Sequence, residues 1–282
     1  MPTIAGDLAM ALDAARIVRP LGITPDPWQA AALRSGAVRL LLNCSRQAGK
    51  STVSAGVALH TALYQPGALI LLLSPSQRQS QELFRKCLDL YRGLGEPVAS
   101  EAETKLTLEL ANGSRLVALP GKEATIRGYS GAALLVIDEA SRVPDDIYGA
   151  VRPMLAVSGG RLIALSTPFG KRGWWYREWS EGGQGWERYE VPAAMVPRIS
   201  PAFLAEERRA LGERGYAQEY GCEFRDTDDQ VFSSAAIAAA VDPGVKPLLI
   251  AGGPHDEDED DSGRALVWSA LGTGDAGLRH GA

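Results

Sequence analysis

Short, almost wholly apolar runs recur along this chain, separated by longer stretches whose apolar positions repeat at helical spacing. VRLLLN (38–43), GALILLLSP (67–75), AALLVIDEAS (132–141) and GRLIALSTP (160–168) are near-continuous apolar segments. That pattern marks strands of a parallel sheet covered on both faces. Between them, KSTVSAGVALHTALY (50–64), SQRQSQELFRKCLDLYRGLG (76–95) and PDDIYGAVRPML (144–155) read as helices. Residues 6–17 predict a short helix. TPDPWQAAALRSG (24–36) predicts another, with Thr24 or Asp26 as cap and Pro27 in the first turn. TKLTLELANGSRLVALP (104–120) alternates apolar and polar positions around Asn112-Gly113, which predicts a hairpin with a type I′ turn. SPAFLAEERRALGERGYAQEYGCEF (200–224) reads as two helices broken near Gly212.

Strands alternating with helices predict an α/β fold with a mainly parallel sheet flanked by helices, plus an antiparallel hairpin. The expected divisions are a helical extension (1–24), a core (25–180), a linker or lid subdomain completing it (181–241) and a tail (242–282). Four of the six tryptophans fall in residues 174–186. Two readings stay open for Trp174, Trp175, Tyr176 and Trp179: core packing, or DNA contact with Lys171 and Arg172 on phosphates.

Composition adds exclusions. With 45% hydrophobic residues, a packed core is expected. No apolar stretch is long enough to predict a membrane span, and the N-terminus lacks a secretory pattern. The three cysteines are far apart, against a metal site or disulfide framework and consistent with a reducing cytoplasm. The net charge of −5 sits in the tail: residues 251–282 hold seven acids and two arginines, leaving 34 − 7 = 27 acids and 29 − 2 = 27 bases elsewhere. A neutral body requires any nucleic-acid contact to come from a local basic face. The run DEDEDD (256–261) predicts a solvated, disordered segment.

The chemistry concentrates at the ends of the predicted strands. CSRQAGKST (44–52) follows one strand and opens a helix, as a phosphate-binding loop does, although Cys44 stands where a first glycine is usual. Ser45, Gln47, Ala48 and Gly49 would present backbone N–H groups to phosphates. Lys50 would reach the β and γ phosphates and the Ser51 hydroxyl would hold Mg²⁺, while Thr52 packs or caps. Asp138, ending the LLVID run, is a second Mg²⁺ ligand, and Glu139 would orient and deprotonate the attacking water. Ser166 and Thr167 end the next strand, where they could sense the γ phosphate, or form a simple turn. Gln29 in PWQ carries an amide able to pair with adenine, or is an ordinary helix-surface residue.

Taken together, PWQ, CSRQAGKST, LLVIDEAS and ALSTP in this order resemble the large terminase subunit of tailed phages. TIRGYSG, PFGKRGWWYREW and YAQEYGCEF extend the resemblance over roughly residues 20–250. It implies a P-loop NTPase fold and an ATPase motor that drives double-stranded DNA into a procapsid through backbone contacts. It also implies ATP and Mg²⁺ as cofactors, and a small terminase subunit, portal and procapsid as partners. Further implications are a ring of copies on the portal and the cytoplasm of a bacterial host as the place of action. By resemblance, Arg46 stabilises charge on the transferring phosphoryl, with Arg127 a second candidate acting on a neighbouring subunit's ATP. Either arginine could instead be a structural ion-pair partner. Gln29 takes the family's adenine-contacting place and Ser166-Thr167 its coupling motif. The family's nuclease domain has no recognisable counterpart in the tail, so nuclease activity is expected to be absent. Two other readings remain: an inactive prophage remnant that folds and binds ATP, and a helicase-like DNA-dependent ATPase.

Overall fold

The computed structural model describes residues 3–120 and 128–226, with the isolated positions 236, 239, 240 and 245. Residues 1–236 make one compact unit and 237–282 group separately. Arg127, the acidic run and the tail on which the nuclease expectation rests lie outside the described residues.

An eight-stranded sheet forms the centre of the first unit. In chain order its strands are β1 (Arg39–Cys44), β2 (Leu69–Ser74), β3 (Ser100–Glu103), β4 (Thr107–Leu110), β5 (Arg115–Pro120), β6 (Leu134–Asp138), β7 (Arg161–Ser166) and β8 (Glu187–Val191). In space they run β3-β4-β5-β2-β6-β7-β1-β8. From β5 to β8 every pairing is parallel, and β3 and β4 add antiparallel strands at one edge. The helices are α1 (Ile4–Leu12), α2 (Pro27–Arg34), α3 (Lys50–Tyr64), α4 (Gln77–Gly93), α5 (Asp145–Val151), α6 (Gly173–Ser180) and α7 (Pro201–Glu219). The four runs that predicted buried strands are the four central ones.

Their period of two explains why continuous hydrophobicity was needed. Leu40, Leu42, Ile70, Leu72, Leu134, Val136, Ile163 and Leu165 face a core shared with α2, α3 and α4. The intervening Leu41, Leu71, Leu73, Leu135, Ile137, Leu162 and Ala164 face a second core built with α5 and α6. Trp174 and Trp175 belong to that second core, 1% and 2% exposed. Trp174 stacks on Tyr148 with ring centroids 3.9 Å apart, and its Nε1 donates to Val143 O at 2.8 Å. Packing, rather than DNA contact, accounts for these two rings.

Two expectations need correction, and two strands were not foreseen. The hairpin forms, but its turn is not type I′. Gly113 has φ 81° while Asn112 is absent from the residues with positive φ. Gly113 N donates to Leu110 O at 2.8 Å and Leu110 N to Ser114 O at 2.9 Å, a three-residue loop closed by a left-handed glycine. Asn112 is engaged elsewhere: its Nδ2 donates to Ala62 O at 2.8 Å at the end of α3. The helix expected over residues 6–17 stops at Leu12, where Asp13 turns to extended backbone (φ −138°, ψ 95°). The unforeseen β3 is SEAE, exposed throughout, and β8 is ERYEV, in which only Val191 is buried. Edge strands with so few buried positions leave no hydrophobic signal. Because β8 pairs with β1, the sheet continues past residue 180. Near the end of the described chain, α7 is broken at Gly212 (φ 67°, ψ 169°), as the sequence predicts.

Candidate functional site

β1 delivers the loop. Its last residue, Cys44, is fully buried and registered against Val191 of β8. The position that carries glycine in the usual motif is here a strand end packed in the core, so a side chain is accommodated. Burial pushes the Cys44 thiol well above its ordinary pKa, so the thiol stays protonated and inert. Beyond it the loop is gripped by backbone bonds. Ser45 N donates to Val191 O and Arg46 N to Glu219 O, both at 3.0 Å.

The loop then curls through two left-handed residues, Gln47 (φ 59°) and Gly49 (φ 89°). Such alternation turns successive N–H groups toward one concavity. Glycine is required at 49 for two reasons: its φ, and the 2.5 Å that would separate a Cβ from Gln29 Nε2. Gly49 also serves as N-cap of α3 without any side-chain cap. The first N–H groups of α3 therefore remain available to an anion.

Behind the loop lies a small polar network that sequence reasoning missed. Gln29 is 4% exposed. Its Oε1 accepts from Asp26 N at 2.9 Å, and its Nε2 lies 3.4 Å from both Ala48 O and Gly49 O. Arg198 donates to both Asp26 carboxylate oxygens at 2.7 Å and to Ala48 O at 3.0 Å. In this structure Gln29 braces the loop from behind, with both ends of its amide engaged. Arg198 could not have been found from sequence, since it lies 150 residues from its partner carbonyl in a segment with no motif.

β6 delivers the acids. Asp138 is 8% exposed, and Glu139 N donates to its Oδ1 at 3.0 Å. Burial, then the neighbouring Glu139 charge, raises the Asp138 pKa to about 6, against a lowering pull from Lys50. Glu139 itself is left-handed (φ 49°, ψ 45°), a conformation that costs a non-glycine residue about 1 kcal/mol. The strain aims its carboxylate across the cleft, where Oε1 meets Lys50 Nζ at 3.3 Å. The loop and Glu139 thus meet in one cleft of about 510 Å³, which Arg46, Gln47, Gly49, Lys50, Ser51, Glu139 and Thr167 all line, with Asp138 buried next to Glu139.

The remaining expected residues divide. Thr167 lines the cleft, whereas Ser166 is fully buried and its Oγ lies 2.7 Å from Ser141 Oγ, tying the end of β7 to the turn after Glu139. Thr52 N donates to Gly49 O at 3.1 Å within the first turn of α3. Arg46 reaches the cleft wall, but its guanidinium is paired with Glu219 at the end of α7. For Mg²⁺ the donor set fits: no hydrogen bond other than that from Glu139 N reaches the buried Asp138 carboxylate among the described residues. Ser51 adds a second hard oxygen at the cleft.

The family model described as terminase large subunit, T4likevirus-type, N-terminal, matches residues 41–239. The chain belongs to that family. A curated relative, the terminase large subunit of Escherichia phage T5, is 26% identical over 225 residues, covering 76% of this chain and 51% of the relative. The match thus spans about half the relative's length. The ATPase domain of the large terminase of Thermus phage P74-26 superposes with a TM-score of 0.65 at 23% identity, over 73% of this chain and 96% of that one. A large terminase from a thermophilic bacteriophage, solved in complex with ADP, gives 0.59 at 12% identity, over 71% and 54%. These likenesses establish the P-loop NTPase fold expected for a terminase. Among the described residues no helix is long and apolar enough to cross a membrane.

Proposed function

We propose that this terminase chain hydrolyses ATP and that the energy drives double-stranded DNA into a procapsid. The observation that carries the proposal is the Lys50–Glu139 contact at 3.3 Å, which joins the phosphate loop to a strained acid in one cleft. In the nucleotide-free chain each charge neutralises the other. An incoming γ phosphate competes for Lys50 and releases Glu139 to orient a water for in-line attack and accept its proton. The uncapped N–H groups of α3 hold the other phosphates. Asp138 and Ser51 would hold Mg²⁺, which when bound offsets the phosphate charge.

Arg46 has a part in this scheme only after leaving Glu219, so the loop arginine and α7 are linked through ATP. Thr167 contacts the γ phosphate and Ser166 relays its loss to the turn at Ser141. Adenine contact by Gln29 requires its amide to leave the loop carbonyls, and Arg127 is retained as the candidate acting on a neighbouring subunit. Small subunit, portal, procapsid and a ring of copies remain the partners implied by family membership.

ATP turnover by the purified chain, alone and with linear double-stranded DNA and procapsids, tests this. Lys50→Ala and Glu139→Gln are each expected to lower kcat by at least about 10²-fold. Turnover undiminished in both variants, or absent from the parent chain under every condition, overturns the proposal.

A further inference from the structure

The wall of the cleft opposite the loop is made by α4, through Gln79 and Lys86. Seven residues separate them, two helical turns, so they share one face. Lysine side chains on a helix lean toward its N-terminus, which brings the Lys86 ammonium toward Gln79 and the cleft. Two other cations on the same helix are paired, Arg85 with Glu82 at 3.0 Å and Arg92 with Glu103 at 2.6 Å, and Arg78 is not among the residues that line the cleft. Lys86 is exposed and makes no ion pair or hydrogen bond among the described residues. Its field nevertheless reaches Asp138, lowering that carboxyl's pKa alongside Lys50.

The charges in the cleft are unequal in availability. Arg46 is held by Glu219, Lys50 by Glu139, and Arg142 lies 4.2 Å over the Phe169 ring. Lys86 alone among these four is not engaged. A nucleotide whose phosphates sit on the loop and Lys50 would place its outermost phosphoryl in the same cleft that Lys86 lines. A diphosphate lacks that group.

We propose that Lys86 is a second phosphate-binding lysine, which engages the terminal phosphoryl of a bound nucleoside triphosphate from the wall opposite Lys50 and so discriminates triphosphate from diphosphate. The inference rests on the nucleotide site proposed above. It deepens that site by giving α4, which no motif marks, a direct part in recognising the reactive end of the substrate.

Calorimetric titration of the full chain with ADP and with the slowly hydrolysed analogue ATPγS, both with Mg²⁺, tests it. Lys86→Ala is expected to weaken ATPγS about tenfold and ADP less than twofold, the size of one charge-assisted contact. Lys86→Arg should recover most of the loss. Lys105→Ala, the same charge change away from the cleft, should alter neither. Equal losses for both nucleotides, or no loss for either, overturn the proposal while leaving the nucleotide site intact. So does a variant that loses affinity for double-stranded DNA yet keeps its nucleotide affinities, since the lysine then serves nucleic acid. A parent chain that binds neither nucleotide removes the underlying site and the proposal with it.

Discussion

β1 and β2 are nearly the same object up to their last residue. Both are six residues long, buried, parallel to their neighbours, and followed by helices that pack on the same core. They part at the helix start. After β2, Ser76 caps α4 and its Oγ accepts from Gln79 N at 3.3 Å. After β1, the chain takes a longer route through two left-handed residues and begins α3 on a glycine that caps nothing. One helix terminus satisfies its own donors and is closed. The other is left open to an anion, and its surroundings are built around that incompleteness. The phosphate site proposed here is an ordinary strand-helix junction from which the local cap has been withheld.

Making the open junction ordinary should have the largest effect. Gly49→Ala puts a side chain at φ 89° and a Cβ 2.5 Å from Gln29 Nε2, so the loop backbone is strained and the Gln29 brace must move aside. ATP turnover is expected to fall roughly 10³-fold. A steady-state assay showing less than a tenfold loss would mean the loop's curvature is dispensable. Next comes the acid facing it. With its pKa raised from 3.8 to about 6, ionised Asp138 destabilises the nucleotide-free fold. That penalty is absent below pH 3.8, grows as pH rises, and is complete above pH 6, where it is on the order of 3 kcal/mol. Asp138→Asn should therefore raise the melting temperature without nucleotide, more at pH 8 than at pH 5, while removing Mg²⁺-dependent turnover. A melting temperature that drops at both pH values would contradict this account of the site.

A smaller effect is expected from the brace. Arg198→Ala leaves Asp26 buried without its partner and removes the shorter of two contacts to Ala48 O, at a cost of about 2 kcal/mol, because the guanidinium is half exposed. Urea melts would measure the stability loss, and weaker ATPγS binding would show that it reaches the loop. The smallest effect belongs to the closed junction. Ser76→Ala removes an ordinary N-cap and should cost about 1 kcal/mol of stability. An unchanged urea midpoint would show that α4 does not need its cap, and the contrast between the junctions would lose half its force.

The central strands were legible because burial on both faces writes itself as uninterrupted hydrophobicity, as in LILLL and LLVI. The cleft was legible where its chemistry is local: Gly49-Lys50-Ser51 and Asp138-Glu139 each occupy consecutive positions. What escaped is the long-range part. Arg198 and Glu219 reach the loop from segments far along the chain; nothing in the neighbours of Arg198 distinguishes it from a surface charge, and YAQEYGCEF marks a resemblance without saying that Glu219 pairs with the loop arginine. Gln29 was legible as a position, but whether its amide faces a base or the loop depends on where Ala48 and Gly49 put their carbonyls. The turn type at Asn112 failed for a related reason, because a tertiary bond to the end of α3 outweighed the local preference of Asn-Gly.

The cysteine in the glycine's place has a practical corollary for labelling. All three cysteines of the chain, Cys44, Cys87 and Cys222, are free and buried. Burial pushes the thiols of Cys87 and Cys222 up to about 12 and that of Cys44 higher still. At neutral pH the folded chain presents almost no thiolate to a maleimide. A single cysteine introduced on an exposed helix would thus carry a fluorophore alone, without first stripping the native ones, and its emission could be followed with the loop's own sequence untouched.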